Sequence, residues 1–107
     1  MAVDQKQDYQ PVDPRAVARE FAARARNDPA VEQLWLFSYR NVVQLWILTA
    51  DLPAQEERRL YGLLDGMYAR FPEADLRLHL VSPRYFDPLE LDLILPPGAE
   101  EIALNAA

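Results

Sequence analysis

Two apolar runs separated by three residues dominate the hydrophobic pattern of this chain. Val31–Ser38 reads VEQLWLFS and Val42–Ala50 reads VVQLWILTA, each containing the tripeptide Gln-Leu-Trp, with only Tyr39, Arg40 and Asn41 between them. Both runs are rich in β-branched and aromatic residues and alternate with period two, so they predict a β-hairpin. Alternation places Leu34 and Leu36 with Val43, Leu45 and Ile47 on one face. The opposite face receives Gln33, Trp35 and Phe37 with Gln44, Trp46 and Leu48. A turn centred on Tyr39-Arg40 sets Trp35 against Gln44 and Trp46 against Gln33, with the indoles as diagonal neighbours. A longer loop using Asn41 is the other geometry, since neither Tyr39 nor Arg40 favours positive φ.

Helical periodicity flanks the hairpin. Asp13-Pro14 supplies a cap and a first-turn proline for a helix running to about Arg26, with Val17, Ala18, Phe21 and Ala25 as a narrow apolar stripe. Arg15, Arg19 and Arg26 gather on another side. A second helix is predicted over Pro53–Phe71, where Leu60, Leu63, Leu64, Met67, Tyr68 and Phe71 recur at three- and four-residue steps. Gly62 and Gly66, two of the three glycines, fall opposite that stripe, where each costs about 1 kcal/mol against alanine. Such positions fit either a second backbone packed closely, as in a dimer, or a helix broken near Gly66.

Beyond Pro72, Leu76, Leu78 and Leu80 alternate with Arg77, His79 and Val81 as a half-buried strand. Leu89, Leu91, Leu93 and Leu95 alternate with Glu90, Asp92 and Ile94 and predict another. The expected fold class is therefore α+β, in the order α-β-β-α-β-β, with an antiparallel or mixed four-stranded sheet and two helices that can cover the leucine face. Residues 1–12 read as a flexible lead, 13–98 as a single domain and 99–107 as an acidic tail.

Composition narrows the function classes. The chain has 107 residues, half of them hydrophobic, and no cysteine, which removes disulfides and thiolate chemistry. A net charge of −6 opposes affinity for phosphate backbones and makes nucleic acid an unlikely partner. Arginines beside aromatics at Tyr39-Arg40 and Arg84-Tyr85-Phe86 are only weak signals of base stacking. No apolar stretch reaches the length of a membrane span, and the N-terminal residues lack the pattern of a signal peptide. The expectation is a cytoplasmic protein without membrane contact.

Candidate chemistry concentrates on the indole face. If the four strands share one sheet, Gln33, Trp35, Gln44 and Trp46 are joined there by Arg77, His79, Glu90 and Asp92. His79 beside either carboxylate could form an oriented acid–base pair, with Arg77 holding an anion. Glu90-x-Asp92 has the spacing that a hard divalent cation can use. No glycine-rich phosphate loop, nucleophile elbow or zinc signature accompanies them, so no catalytic residue, resident metal or cofactor is assigned.

The element order also resembles the minimal nucleotidyltransferase domains over roughly residues 14–100: a helix, a strand ending Leu36-Phe37-Ser38, a second strand, a helix, and a strand Leu-x-Leu-x-Leu. In that family a strand ending Phe-Gly-Ser leads to one carrying two metal-binding aspartates, and a third acid sits on the strand after the next helix. Here Phe37-Ser38 keeps part of the first motif without its glycine. Val42 and Gln44 stand where the aspartates belong, and the third acid falls near Arg77 or His79. The resemblance thus implies a domain of that layout unable to hold the two magnesium ions of nucleotidyl transfer.

Two functions follow as expectations. The first is a non-catalytic interaction module, a homodimer or a binder of another protein, whose contact surface uses Trp35, Phe37 and Trp46 with Gln33 and Gln44. The second is a small-ligand or nucleotide site on the same face with Arg77, His79, Glu90 and Asp92. A further arrangement makes the indole face core, with the first helix packed on it and the second helix opposite.

Overall fold

The computed structural model describes residues 12–104. Its elements are α1 (Pro14–Ala25), β1 (Val31–Tyr39), β2 (Val42–Thr49), α2 (Ala54–Tyr61), α3 (Asp65–Arg70), β3 (Asp75–Val81), α4 (Leu91–Ile94) and β4 (Glu100–Ile102), with 3-10 turns at Gly62–Leu64 and Pro88–Glu90. The class is α+β with a mixed four-stranded sheet in the order β3-β2-β1-β4. The lead expected over 1–12 lies outside the described residues except for Val12, which packs against the core.

α1 begins as its sequence requires. The Asp13 carboxylate accepts a hydrogen bond from the Arg15 amide at 3.0 Å, and Pro14 occupies the first turn, where its missing N–H costs nothing. The stripe Val17, Ala18, Phe21, Ala22 and Ala25 is buried. It packs on the leucine face of the sheet, made of Leu34, Leu36, Val43, Leu45, Ile47, Leu76 and Leu78. Leu60, Leu64 and Met67 close the same core, so both helical segments cover one face. The first helix is therefore not on the indole face. At the far end of α1, Asp28 accepts the Arg59 guanidinium and the Ala30 amide, tying α2 to the loop before β1.

The hairpin turn centres on Arg40-Asn41, one residue later than the Tyr39-Arg40 turn expected. Tyr39 pairs with Val42, leaving Arg40 and Asn41 as a two-residue loop, and Arg40 takes the positive φ of 56°. The register therefore moves by one pair, and Trp35 lies directly opposite Trp46. Such a φ is unusual for arginine; its guanidinium carbon lies 5.3 Å from the centre of the Tyr39 ring. At the other end of β1 the register shifts between Val31 and Gln33, a bulge at Glu32 that returns Val31 to the core side opposite buried Thr49.

The helix predicted over Pro53–Phe71 is broken. A 3-10 turn at Gly62–Leu64 separates α2 from α3, and the change of pitch leaves Tyr68 half exposed, its hydroxyl donating to the Leu76 carbonyl at 3.4 Å. Gly66 has a local reason: a Cβ there would meet the guanidinium of Arg24, which α1 lays across the helix while pairing with Glu20 at 3.0 Å. The close neighbour is a side chain of the same molecule.

Two strand assignments change. Leu89–Leu95 is not a strand: Asp87-Pro88 starts a 3-10 turn and α4, with the Asp87 carboxylate accepting from the Leu89 amide at 2.9 Å. The fourth strand comes instead from Glu100–Ile102, in the segment read as a tail, and pairs antiparallel with Leu34–Leu36.

β2 and β3 are parallel neighbours, joined by α2 and α3. β4 also runs parallel to β3, because β1 is antiparallel to both β2 and β4. Residues 82–99 therefore form a second crossover, travelling back across the sheet in the opposite direction. Right-handed crossovers that move in opposite directions lie on opposite faces. With α2 and α3 on the leucine face, residues 82–99 cross the indole face.

Glycine substitution checks the account of α2 and α3. A Cβ at Gly62 would meet nothing nearer than Asp65 Oδ2 at 3.9 Å, so Gly62→Ala is expected to stabilise by about 0.5–1 kcal/mol, read as a higher urea midpoint. Gly66→Ala gains less, because Arg24 must leave its position. A destabilised Gly62→Ala would show that another chain covers this surface in solution.

Candidate functional site

Cross-strand register builds one row over the indole face. Glu101 on β4 lies opposite Trp35 on β1, Trp35 opposite Trp46 on β2, and Trp46 opposite His79 on β3. Residues directly opposite share a face, so a carboxylate and an imidazole stand at the two ends with both indoles between them. The row on one side is Phe37, Gln44 and Arg77, and the row on the other side is Gln33, Leu48 and Val81.

Contacts along the row are specific. The Trp46 and His79 rings stack with centroids 4.1 Å apart and planes 19° from parallel. Trp46 donates its indole N–H to the Gln44 side-chain carbonyl at 3.0 Å, and the Gln33 amide donates to Glu101 at 3.1 Å. Both glutamines of the repeated tripeptide thus position neighbours of the indoles. Trp35 is buried at 7% exposure, although it lies on the face away from α1, α2 and α3; on that face a Cβ at Gly98 of the crossover would lie 4.0 Å from the Phe37 ring. Trp46 and Phe37 are half-buried.

The expected ligand face is only partly assembled. Arg77 and His79 sit on β3 as predicted, but Glu90 and Asp92 are exposed on the crossover and take no place in the sheet. His79 consequently lacks the orienting carboxylate proposed for it. Glu101, in the same row, is three strand spacings away, about 14 Å. Arg77 is engaged by Asp75, at 3.0 Å to Oδ2, and this pairing holds the Asp75 carboxyl below the usual carboxylate range. Among the described residues no group of three His, Cys, Asp or Glu side chains is arranged to hold a metal ion.

Burial holds the His79 imidazole below its ordinary value of 6.5, and the charge of Arg77 adds to the effect. Its Nε2 atom is buried without a hydrogen-bond partner, so the neutral ring is the form that this site favours. At the turn end of β1, a cavity of about 230 Å³ is lined by Asp13, Arg15, Phe37, Ser38, Gly98 and Glu100. Its charges are already committed: Arg15 pairs with Glu100 at 2.8 Å, and Asp13 caps α1.

Parallel pairing sets Val42 beside Asp75 and Gln44 beside Arg77. No protein-family model, curated protein or solved structure matches the chain. Among the described residues no helix is long and apolar enough to cross a membrane.

A pH titration tests the His79 site. With the folded-state pKa lowered, the unfolded chain binds the extra proton first, so stability falls as pH drops below about 6.5 toward the folded value. The loss attributable to Asp28 and Asp75, whose carboxyls are held low by Arg59 and Arg77, begins only in the carboxylate range. His79→Phe is expected to keep the aromatic stack and remove the loss between pH 6.5 and 5 in denaturant titrations. An imidazole that titrates above 6.5 by NMR would contradict the buried, unpartnered geometry.

Proposed function

We propose that this chain is a protein-interaction module that self-associates, non-catalytic and nucleotidyltransferase-like in layout. The observation that carries the reading is a cluster of exposed apolar side chains on the crossover. Tyr85 is 62% exposed, Phe86 41%, Leu89 92% and Leu93 85%. Four large apolar residues within nine positions exceed the scattered exposure of an ordinary monomer surface. Trp35, by contrast, is already inside the fold, which moves the contact surface from the indoles to this turn.

The polar groups of the indole face are engaged in structural pairings, Gln44 with Trp46, Gln33 with Glu101 and Asp75 with Arg77, which is in keeping with a non-catalytic reading. A cysteine-free sequence fits work in the reducing cytoplasm.

Light scattering across the micromolar to millimolar range is expected to give a mass above that of the monomer. A wild type that stays monomeric at about 1 mM, where contacts weaker than about 4 kcal/mol would still be undetected, removes self-association as the role.

One arrangement favours a second reading. Trp46 is half-exposed, stacked on His79, and Arg77 lies in the adjoining row, an aromatic and cationic surface of the kind that holds a planar anionic ligand such as a nucleotide. Titrating nucleotides against indole fluorescence tests it: quenching that is lost in His79→Ala supports the site, and no response at millimolar nucleotide ends it.

A further inference from the structure

The same molecule carries an exposed apolar turn with an acidic surround and a part-apolar groove edged by arginines, and we infer that the projection of one copy seats in the groove of a second. This inference rests on the self-association proposed above and names its surfaces.

The projection is the 3-10 turn and α4. Leu89 lies in the 3-10 turn and Leu93 in α4, four residues apart in sequence. They are the two most exposed large hydrophobic residues among those described. Glu90 and Asp92 lie exposed beside them, and Asp87 precedes them while capping the turn. The result is a pair of leucines with an acidic surround.

The groove lies between the outer side of α1 and β4 and has a volume of about 350 Å³. Ala22, Ala23, Ile102 and Leu104 supply its apolar surface, with Arg19 and Arg26 along the α1 side. On its α1 side Ala22 and Ala23 present only methyl groups, and on the other side Ile102 and Leu104 are partly buried against the core. Glu100 and Glu101 border the groove, but their carboxylates are engaged by Arg15 and Gln33. Arg19 approaches Asp13 only at 4.0 Å, and Arg26 forms no salt bridge among the described residues. The cations along the groove are therefore available to a partner's acids.

A contact in which residue set i of one copy meets set j of the other, and the reverse, is the arrangement of a two-fold dimer. Projection-in-groove contact satisfies it twice per dimer. Each seating removes two leucines from water and sets Glu90 and Asp92 near Arg19 and Arg26, giving the charges a part in orientation as well as attraction.

Charge exchange tests the pairing directly by sedimentation velocity. Leu89→Asp with Leu93→Asp is expected to weaken dimerisation by about 100-fold or more without changing the circular dichroism spectrum of the folded chain, since both side chains are exposed. Glu90→Lys with Asp92→Lys should dissociate the dimer, and so should Arg19→Glu with Arg26→Glu. Mixed together, these two charge-reversed chains should recover the dimer mass, because each then meets a groove of opposite sign.

A wild-type dimer whose mass is unaffected by the two leucine changes overturns this pairing while leaving self-association in place. Dissociation by the leucine changes without rescue in the mixture overturns the groove as the seat. A monomeric wild type overturns both readings.

Discussion

A sheet with large apolar side chains on both faces has to cover both, and the strand order of this chain decides which segment crosses each. β2 passes to β3 at one edge through α2 and α3, and the chain must then return to β4 at the other edge. Because crossovers share one hand, reversing direction changes the face. The leucine face receives the helices and the indole face receives residues 82–99. That constraint explains how Trp35 is buried on a face that none of α1, α2 and α3 covers. It also gives the apolar residues of an 18-residue connection a role: Leu91, Ile94, Leu95, Pro96 and Ala99 are partly buried.

The indole face is a set of local pairings whose polar groups are largely spent on structure. Gln44 holds the Trp46 indole, Gln33 holds Glu101, and Asp75 holds Arg77. Only the His79 imidazole, stacked on Trp46 and lacking a partner at Nε2, is left with unused capacity. An imidazole in that state can accept a proton or a donor from outside, but it has no carboxylate to orient it and no nucleophile beside it. Catalytic sites combine perturbed groups with a mutual geometry, and here the perturbation occurs without the geometry. The physical cause lies in the crossover: Glu90 and Asp92 turned outward with α4 instead of lining a strand.

Much of this was legible in the residues, and the failures have identifiable causes. The hairpin was readable because both runs alternate over at least eight residues, and the core stripe of α1 because its cap and spacing agree. The register was not, since it depends on Arg40 adopting positive φ, which no local preference of arginine announces. The Glu32 bulge was equally silent. Leu89–Leu95 misled because leucine at every second position also supplies i, i+4 pairs; Asp87-Pro88 was the deciding signal, the same cap and first-turn proline that correctly marked α1. β4 is three residues long and begins Glu100-Glu101, so its strand character comes from pairing with β1. The chemistry followed the fold: Arg77 and His79 were placed correctly with β3, whereas Glu90 and Asp92 were lost with the misread strand.

The crossover also shows a mismatch between what the fold requires and what the sequence supplies. Covering the indoles calls for apolar residues on the inner side of residues 82–99 and polar residues on the outer side. The inner side has its partly buried Leu91, Ile94 and Leu95, and Asp87, Glu90 and Asp92 supply outward charge. Leu89 and Leu93 fit neither requirement. They contribute almost no burial in the folded chain, so replacing them would cost little core energy, and in water they add exposed apolar surface that favours association. On the other side of the molecule Ile102 and Leu104 are only partly buried beside the alanines of α1. In the proposed self-association the exposed leucines of one chain would be covered by that groove of the other, with the residues already present.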